Sequence, residues 1–294
     1  MDWLTRLPLI GPVAVRLFRT HAWRSYETLE RVKWTRLAAA VTFTSFVALF
    51  PLLTLGAAVT AAVLGRAKVR ELEDRLAEQV PGISQNLDLG VFVDNAGTVG
   101  VVAGALLLFT GVGWVGSLRE CLRAVWELEE SPGNPFLLRL RDAGVLLGLG
   151  AVVLLSLGCS AFASAAVSWT AGRTGLPSGG AGGALLTAAG FCAGVLADVL
   201  LLLYVLTRLP RVQPAPRTLL SAALIGAVGL EALKLVLGGY LSGVAAKSMY
   251  GAFGTPVALL LWINFTAKLV LFCAAWTATT RHDASADLLR DEAG

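Results

Sequence analysis

Four ionisable side chains lie inside long apolar runs of this sequence, and their types could support the binding of a charged group. They are two acids and two bases, Asp198, Glu231, Lys234 and Lys268. If those runs cross a bilayer, a charge that faces lipid costs at least about 2.5 to 3.5 kcal/mol, so each side chain must face protein or a polar cavity. Equal numbers of acids and bases suit a desolvated, mutually compensated cluster. These residues therefore predict a charged site at mid-membrane.

The spacing of these residues leaves two interpretations of the site. Lys234 lies one helical turn after Glu231, and Asn264 lies four residues before Lys268, so each pair shares a helix face. In a structural interpretation, Glu231 pairs with Lys234 and Asp198 pairs with Lys268, and the pairs fix helix register. In a functional interpretation, all four charges line one internal cavity that handles a charged or zwitterionic headgroup. Snorkelling to the membrane surface is a further alternative, above all for Lys234.

Composition predicts the elements that position these residues. The 294 residues are 56% hydrophobic with a mean hydropathy of +0.71, whereas soluble domains are about 45 to 50% apolar. A helical crossing needs roughly 20 apolar residues, and the alternation of a barrel strand is missing. The fold class is therefore predicted to be all-α, a polytopic integral membrane protein with amphipathic interfacial helices and six transmembrane helices, at about residues 37–64, 98–117, 143–170, 184–206, 219–240 and 253–277.

The basic residues predict the orientation of the chain. With a cytoplasmic N-terminus, 16 of the 24 Lys and Arg residues fall in inside segments, six in outside loops and two within spans. This asymmetry favours both termini on the cytoplasmic side of the membrane. The net charge of +4 then reflects topology and contact with anionic lipid headgroups, and we expect no nucleic-acid partner.

The distribution of apolar and basic residues divides the chain into three predicted segments. Residues 1–35 mix tryptophans with arginines and are predicted to form cytoplasmic interfacial helices. Residues 36–280 are predicted to be the six-helix transmembrane domain, and residues 281–294 a cytoplasmic tail. The outer loop after the first span is predicted to hold a short amphipathic helix that ends near Pro81.

Small residues and one proline predict how the helices pack. Pro51 removes a hydrogen bond within the first span and is predicted to kink it, either as a gate or merely to shape the protein. GxxxG pairs let helices approach closely where hydrophobicity gives no drive, and they recur in three spans at Gly100 and Gly104, Gly144 and Gly148, and Gly190 and Gly194.

Catalytic and metal sites are not predicted. The four cysteines are scattered without a CxxC or Cys/His cluster, and the two histidines, His21 and His282, lie in the tails. No nucleotide-binding motif is present in a suitable context, so neither a metal nor another cofactor is expected. The chain is not predicted to be an enzyme.

Five segments, in order and spacing, resemble the YihY/BrkB family of bacterial inner-membrane proteins. They are "FTSFVALFPLLTLG", "LRECLRAVWELEE…NPFLLRLRDAG", "YVLTRLPRV", "GLEALKLVLGGYL" and "YGAFGTPVALLLWINFTAKLVL", and the resemblance covers about residues 35–280. The family pattern includes Pro51, Glu231, Lys234, Tyr250 and the neighbouring glycines, and the tryptophan at 262. The chain departs from it at "CAAWT", where Trp276 stands near the position of a family glutamate.

The resemblance implies a six-helix protein connected with envelope integrity and with the export of lipid or lipopolysaccharide precursors. A ribonuclease label used for the family does not suit this chain, which lacks a catalytic histidine or carboxylate constellation. Two functions remain. The first is a transporter or flippase-like exporter whose partners are membrane lipids and an amphiphile cargo. The second is a non-transporting scaffold or envelope-integrity protein, which forms a homo-oligomer through its glycine faces or organises envelope machinery.

Overall fold

The described residues of the protein form helices and no strands. The structure, a computed structural model, describes residues 20–79, 96–129, 134–174, 181–243 and 251–291. Seven helices occur in these ranges, which confirms the all-α prediction for them. They are α1 His21–Arg31, α2 Trp34–Gln79, α3 Ala96–Val125, α4 Pro135–Thr174, α5 Ala181–Arg208, α6 Pro216–Gly243 and α7 Gly251–Asp291.

Four of these helices are long and apolar enough to cross a membrane. The stretches are Trp34–Thr60 in α2, Gly97–Val125 in α3, Pro216–Val236 in α6 and Pro256–Thr280 in α7. They correspond to the first, second, fifth and sixth predicted spans. The runs predicted as spans three and four lie within α4 and α5, which have 40 and 28 residues, and their crossing stays a prediction.

Helix boundaries follow local chemistry. The Oγ1 atom of Thr20 accepts a hydrogen bond from the backbone N–H of Trp23 and caps α1. The Oδ1 atom of Asn134 accepts from the N–H of Phe136 and caps α4. Proline is the first residue of both α4 and α6, where its missing N–H costs nothing.

Two helices extend further than the sequence predicts. α2 continues without a break to Gln79, so the predicted amphipathic helix of the outer loop is the end of the first spanning helix and not a separate element. α7 continues to Asp291, through most of the segment predicted as a tail. Both helices can continue beyond the bilayer, because an α-helix forms its backbone hydrogen bonds internally in water as well as in lipid.

The chain divides into two compact units. One comprises Phe43–Trp114, and the other comprises Met1–Thr42 with Val115–Gly294. In the second unit, α5 packs against α4 and α6, and α6 packs against α7. The core where α5 meets α6 is formed by apolar side chains, namely Val199, Leu202, Ala223, Ala227 and Leu230.

The described N-terminal helix is attached to the last helix. α1 packs against α7 and buries Ser25, Thr28 and Leu29. The Nε2 atom of His21 lies 2.9 Å from the carbonyl oxygen of Trp276. Residues 1–19 of the predicted interfacial segment lie outside the described residues, so the interfacial prediction is not tested there.

Candidate charged site within the membrane helices

Three of the predicted site residues meet between α5 and α6. The Nζ atom of Lys234 lies 2.8 Å from Oδ2 of Asp198 and 3.1 Å from Oε1 of Glu231. Both distances are within hydrogen-bond range, and the shorter one is typical of a charge-assisted bond. One ammonium group therefore bridges two carboxylates, and we call Asp198, Glu231 and Lys234 the acidic triad.

Local sequence explains how the triad assembles. Glu231 and Lys234 are three residues apart on α6 and share one face. Gly194 lies one turn before Asp198 on α5, and a Cβ atom added there would stand 3.0 Å from Oε1 of Glu231. A side chain at position 194 would therefore press against the carboxylate. Asp198 therefore lies on the face of α5 that packs closely against α6.

The triad contains more acid than base. The side chains of Asp198 and Glu231 are 14% and 16% exposed, whereas that of Lys234 is 43% exposed. Two ionised carboxylates with one ammonium leave one uncompensated negative charge among partly buried groups, which favours the uptake of a proton or another cation. Lys234 is therefore the most accessible member of the triad.

Lys268 and Asn264 lie apart from the triad. The Nζ atom of Lys268 is 5.7 Å from the ring centroids of both Trp34 and Phe265, a cation–π geometry. Asn264 donates a hydrogen bond of 3.0 Å to Oγ1 of Thr42. The predicted pairing of Asp198 with Lys268 is wrong, because Lys234 is the partner of Asp198. The polar stripe of α7 faces the beginning of α2 instead.

Pro51 lines an apolar cavity within the unit Phe43–Trp114. Helix α2 continues on both sides of the proline. The cavity has a volume of about 530 Å³ and lies between α2 and α3. The hydroxyls of Thr54 and Thr110, which line it, donate to carbonyls of their own helices, so the wall offers few polar groups. Its other lining residues are Val47, Phe50, Thr98, Val99, Val102, Ala103 and Leu106.

The predicted packing glycines divide into two groups. An added Cβ at Gly148 would meet the ring of Tyr204, and one at Gly100 would lie 3.8 Å from Ala58. These two, like Gly194, therefore lie where helices approach closely. Added Cβ atoms at Gly104 and Gly144 would meet nothing within 4 Å, so those two positions are open. The side-chain surroundings of Gly190 lie outside the described residues.

Sequence reasoning missed a second charged group, a buried ion pair between α3 and α4. The Nε atom of Arg119 donates to Oδ1 of Asp142 at 3.1 Å, and the two side chains are only 5% and 4% exposed. Arg211, in the linker before α6, places Nη2 at 3.9 Å from the same oxygen. The available signal was an aspartate immediately before one predicted span and an arginine two residues after the end of another.

Metal chemistry has no obvious ligand set in the described part of the chain. No group of three His, Cys, Asp or Glu side chains there has a geometry that could hold a metal ion. Trp276, which stands near the position of the family glutamate, donates through Nε1 to Oγ of Ser221 at 3.1 Å. A neutral hydrogen bond thus stands at the position where the resemblance implies an acid.

Comparison with known proteins places the chain in a family. The model of the family "Virulence factor BrkB" matches residues 25–293. The inner membrane protein YhjD of Escherichia coli is 28% identical over 89% of this chain and 81% of that protein. An uncharacterised protein of Dickeya dadantii is 30% identical, over 94% of this chain and 86% of the relative. A UPF0761 membrane protein of Laribacter hongkongensis is also 30% identical, over 94% of this chain and 64% of the relative.

No solved structure matches the chain. The resemblance noted in the sequence is nevertheless confirmed, because the family model covers nearly all of it and the relatives belong to the same family. The chain is an integral membrane protein of the BrkB/YihY family.

Proposed function

We propose that this protein moves an amphiphile, either a lipid or a lipid-linked molecule, from one membrane leaflet to the other. In this proposal it crosses the bacterial inner membrane six times, with both termini in the cytoplasm. The cargo's headgroup passes the acidic triad while its acyl chains stay in the bilayer. No cofactor and no nucleic acid take part, and the transport needs an ion gradient, a partner or the cargo's own gradient.

The observation that carries this proposal is the imbalance of charge in the triad. A purely structural pair needs one acid and one base, whereas here one lysine serves two carboxylates. Keeping a second carboxylate among membrane helices costs stability unless a cation or proton accompanies it. A cationic or zwitterionic headgroup that displaces Lys234, or a proton that neutralises one acid, supplies that compensation.

Liposomes that contain the purified protein test this function. We expect labelled phospholipid to exchange between leaflets faster than in empty vesicles, and Glu231→Gln to reduce that rate at least tenfold without loss of folded protein. Glu129→Gln is the matched control, because Glu129 is exposed and lies in the segment between α3 and α4. Equal rates in loaded and empty vesicles, across anionic, zwitterionic and neutral headgroups and with an imposed proton gradient, would refute transport.

A scaffold is the second candidate function. It is favoured by the observation that each triad member already has an ionic partner, while the cavity described above is lined by other residues. In this case the wild-type protein does not speed lipid exchange, and Glu231→Gln changes its stability or its oligomeric state. Light scattering of the detergent-solubilised protein measures the latter.

A further inference from the structure

A group of arginines lies where the end of α3, the start of α4 and the linker between α5 and α6 meet. Arg119 and Arg123 lie at the end of α3, Arg141 and Asp142 lie near the start of α4, and Arg211 lies in the linker between α5 and α6. We call these five residues the basic cluster. Asp142 is its centre, because its Oδ1 atom is 3.1 Å from Nε of Arg119 and 3.9 Å from Nη2 of Arg211.

The basic cluster has an excess of positive charge. It contains four guanidinium groups and one carboxylate, and the only further acid in contact is Glu120, 3.5 Å from Arg119 and 60% exposed among the described residues. Burial lowers the pKa of Arg211, and repulsion from Arg119 adds to this. Desolvated cations that repel one another are stabilised by an added anion.

Two details of the cluster are unexplained by contacts among the described residues. The Nε atom of Arg123 is buried and has no hydrogen-bond partner in the described ranges, although its two terminal nitrogens donate to the carbonyls of Pro210 and Glu129 at 3.0 and 2.8 Å. Arg211 has φ of 57°, a left-handed conformation that is unfavourable for an arginine. In that conformation Arg211 lies at the cluster, but its Nη2 atom is 3.9 Å from Oδ1 of Asp142, which is too far for a hydrogen bond.

We propose that the basic cluster binds the phosphate group of an anionic phospholipid. Guanidinium groups match phosphate oxygens in charge and fork geometry. The depth fits a headgroup, because Arg119 and Arg123 lie in the last two turns of the α3 span and Arg211 lies five residues before the α6 span. Basic pockets between membrane helices recognise anionic headgroups in this way. The inference does not depend on transport, since the acidic triad is a separate group.

Native mass spectrometry of the full chain in detergent, with phosphatidylglycerol or phosphatidylcholine added, tests the proposal. We expect retention of phosphatidylglycerol over phosphatidylcholine, and about fivefold weaker retention in Arg211→Gln, the effect of removing one arginine near a headgroup. Arg139→Gln is the matched control, because Arg139 is exposed, carries the same charge and lies three residues from Asp142. We expect less than a twofold change in it.

Several results would overturn the inference. Equal retention of the two lipids would exclude selection for a net anionic headgroup. An equal loss of phosphatidylglycerol retention in Arg139→Gln would show that general surface charge, and not the basic cluster, holds the lipid. Calorimetry with inorganic phosphate distinguishes the source of the anion, and equal affinity for free phosphate would overturn the lipid assignment. If Arg211→Gln fails to fold, Arg211→Gly replaces it, since glycine accepts a φ of 57° freely. We expect the same loss of phosphatidylglycerol in that variant.

Discussion

Removing the charge of Asp142 should destabilise the protein strongly. The side chains of Arg119 and Asp142 are 5% and 4% exposed and are joined at 3.1 Å, so Asp142→Asn leaves a buried guanidinium without its main counter-charge. Breaking a buried ion pair from one side costs about 3 to 5 kcal/mol. Because about 1.4 kcal/mol is a tenfold change, the ratio of folded to unfolded protein should fall more than a hundredfold. Unfolding by SDS in mixed micelles, followed by circular dichroism, measures this loss.

Two further variants test whether the loss of stability in Asp142→Asn arises from the burial of the ion pair. Glu120→Gln removes an acid from the same arginine, but Glu120 is 60% exposed, and an exposed pair contributes about 0 to 1 kcal/mol. The double variant Arg119→Met/Asp142→Leu removes both charges and should recover much of the stability lost in Asp142→Asn. A loss below about 1 kcal/mol in Asp142→Asn, or one equal to that of Glu120→Gln, would contradict a desolvated pair.

Three other substitutions test packing around the second unit. Gly148→Ala should lower the free energy of unfolding by about 1 to 3 kcal/mol in the same SDS titration, because the new Cβ meets the ring of Tyr204. Gly144→Ala is the control and should cost nothing, because its Cβ enters open space. Equal losses of stability in the two variants would contradict the close approach of the helices at Gly148. Lys268→Met should lose about 0.5 to 2 kcal/mol of cation–π stabilisation while leaving lipid exchange unchanged, and a Trp34→Leu background should reduce that loss, since Phe265 remains. His21→Ala removes a hydrogen bond to α7, at a cost of about 1 kcal/mol, and should speed amide hydrogen exchange in α1; unchanged exchange would argue against the attachment.

The sequence predicted the helices well because a membrane helix is a local object. Its length and apolar content are read directly from consecutive residues, and lipid forces the backbone of such a run to bond internally. The starts of α4 at Pro135 and of α6 at Pro216 are equally local, since proline cannot continue a helix from within. The extension of α2 to Gln79 was not predicted. The sequence of a polar helix that follows a span does not show whether that helix is continuous with the span or separate from it.

Part of the charged site was also present in the sequence. The spacing of Glu231 and Lys234 fixes them on one face of α6, and the spacing of Gly194 and Asp198 fixes those on one face of α5, whatever surrounds them. Those two faces met as the small residue at 194 suggested. Periodicity alone, however, predicts which residues share a face of one helix and does not predict which other helix that face contacts.

Which charges meet was decided only by tertiary structure. Asp198 had two candidate bases, and the packing of α5 against α6 gave it Lys234, while the packing of α7 turned Lys268 towards Trp34. The pairing of Arg119 with Asp142 likewise depends on how two helix ends lie beside each other. The physical reason is that a sequence sets the rotation of residues about their own helix axis, whereas ion pairs depend on the rotation and depth of one helix relative to another.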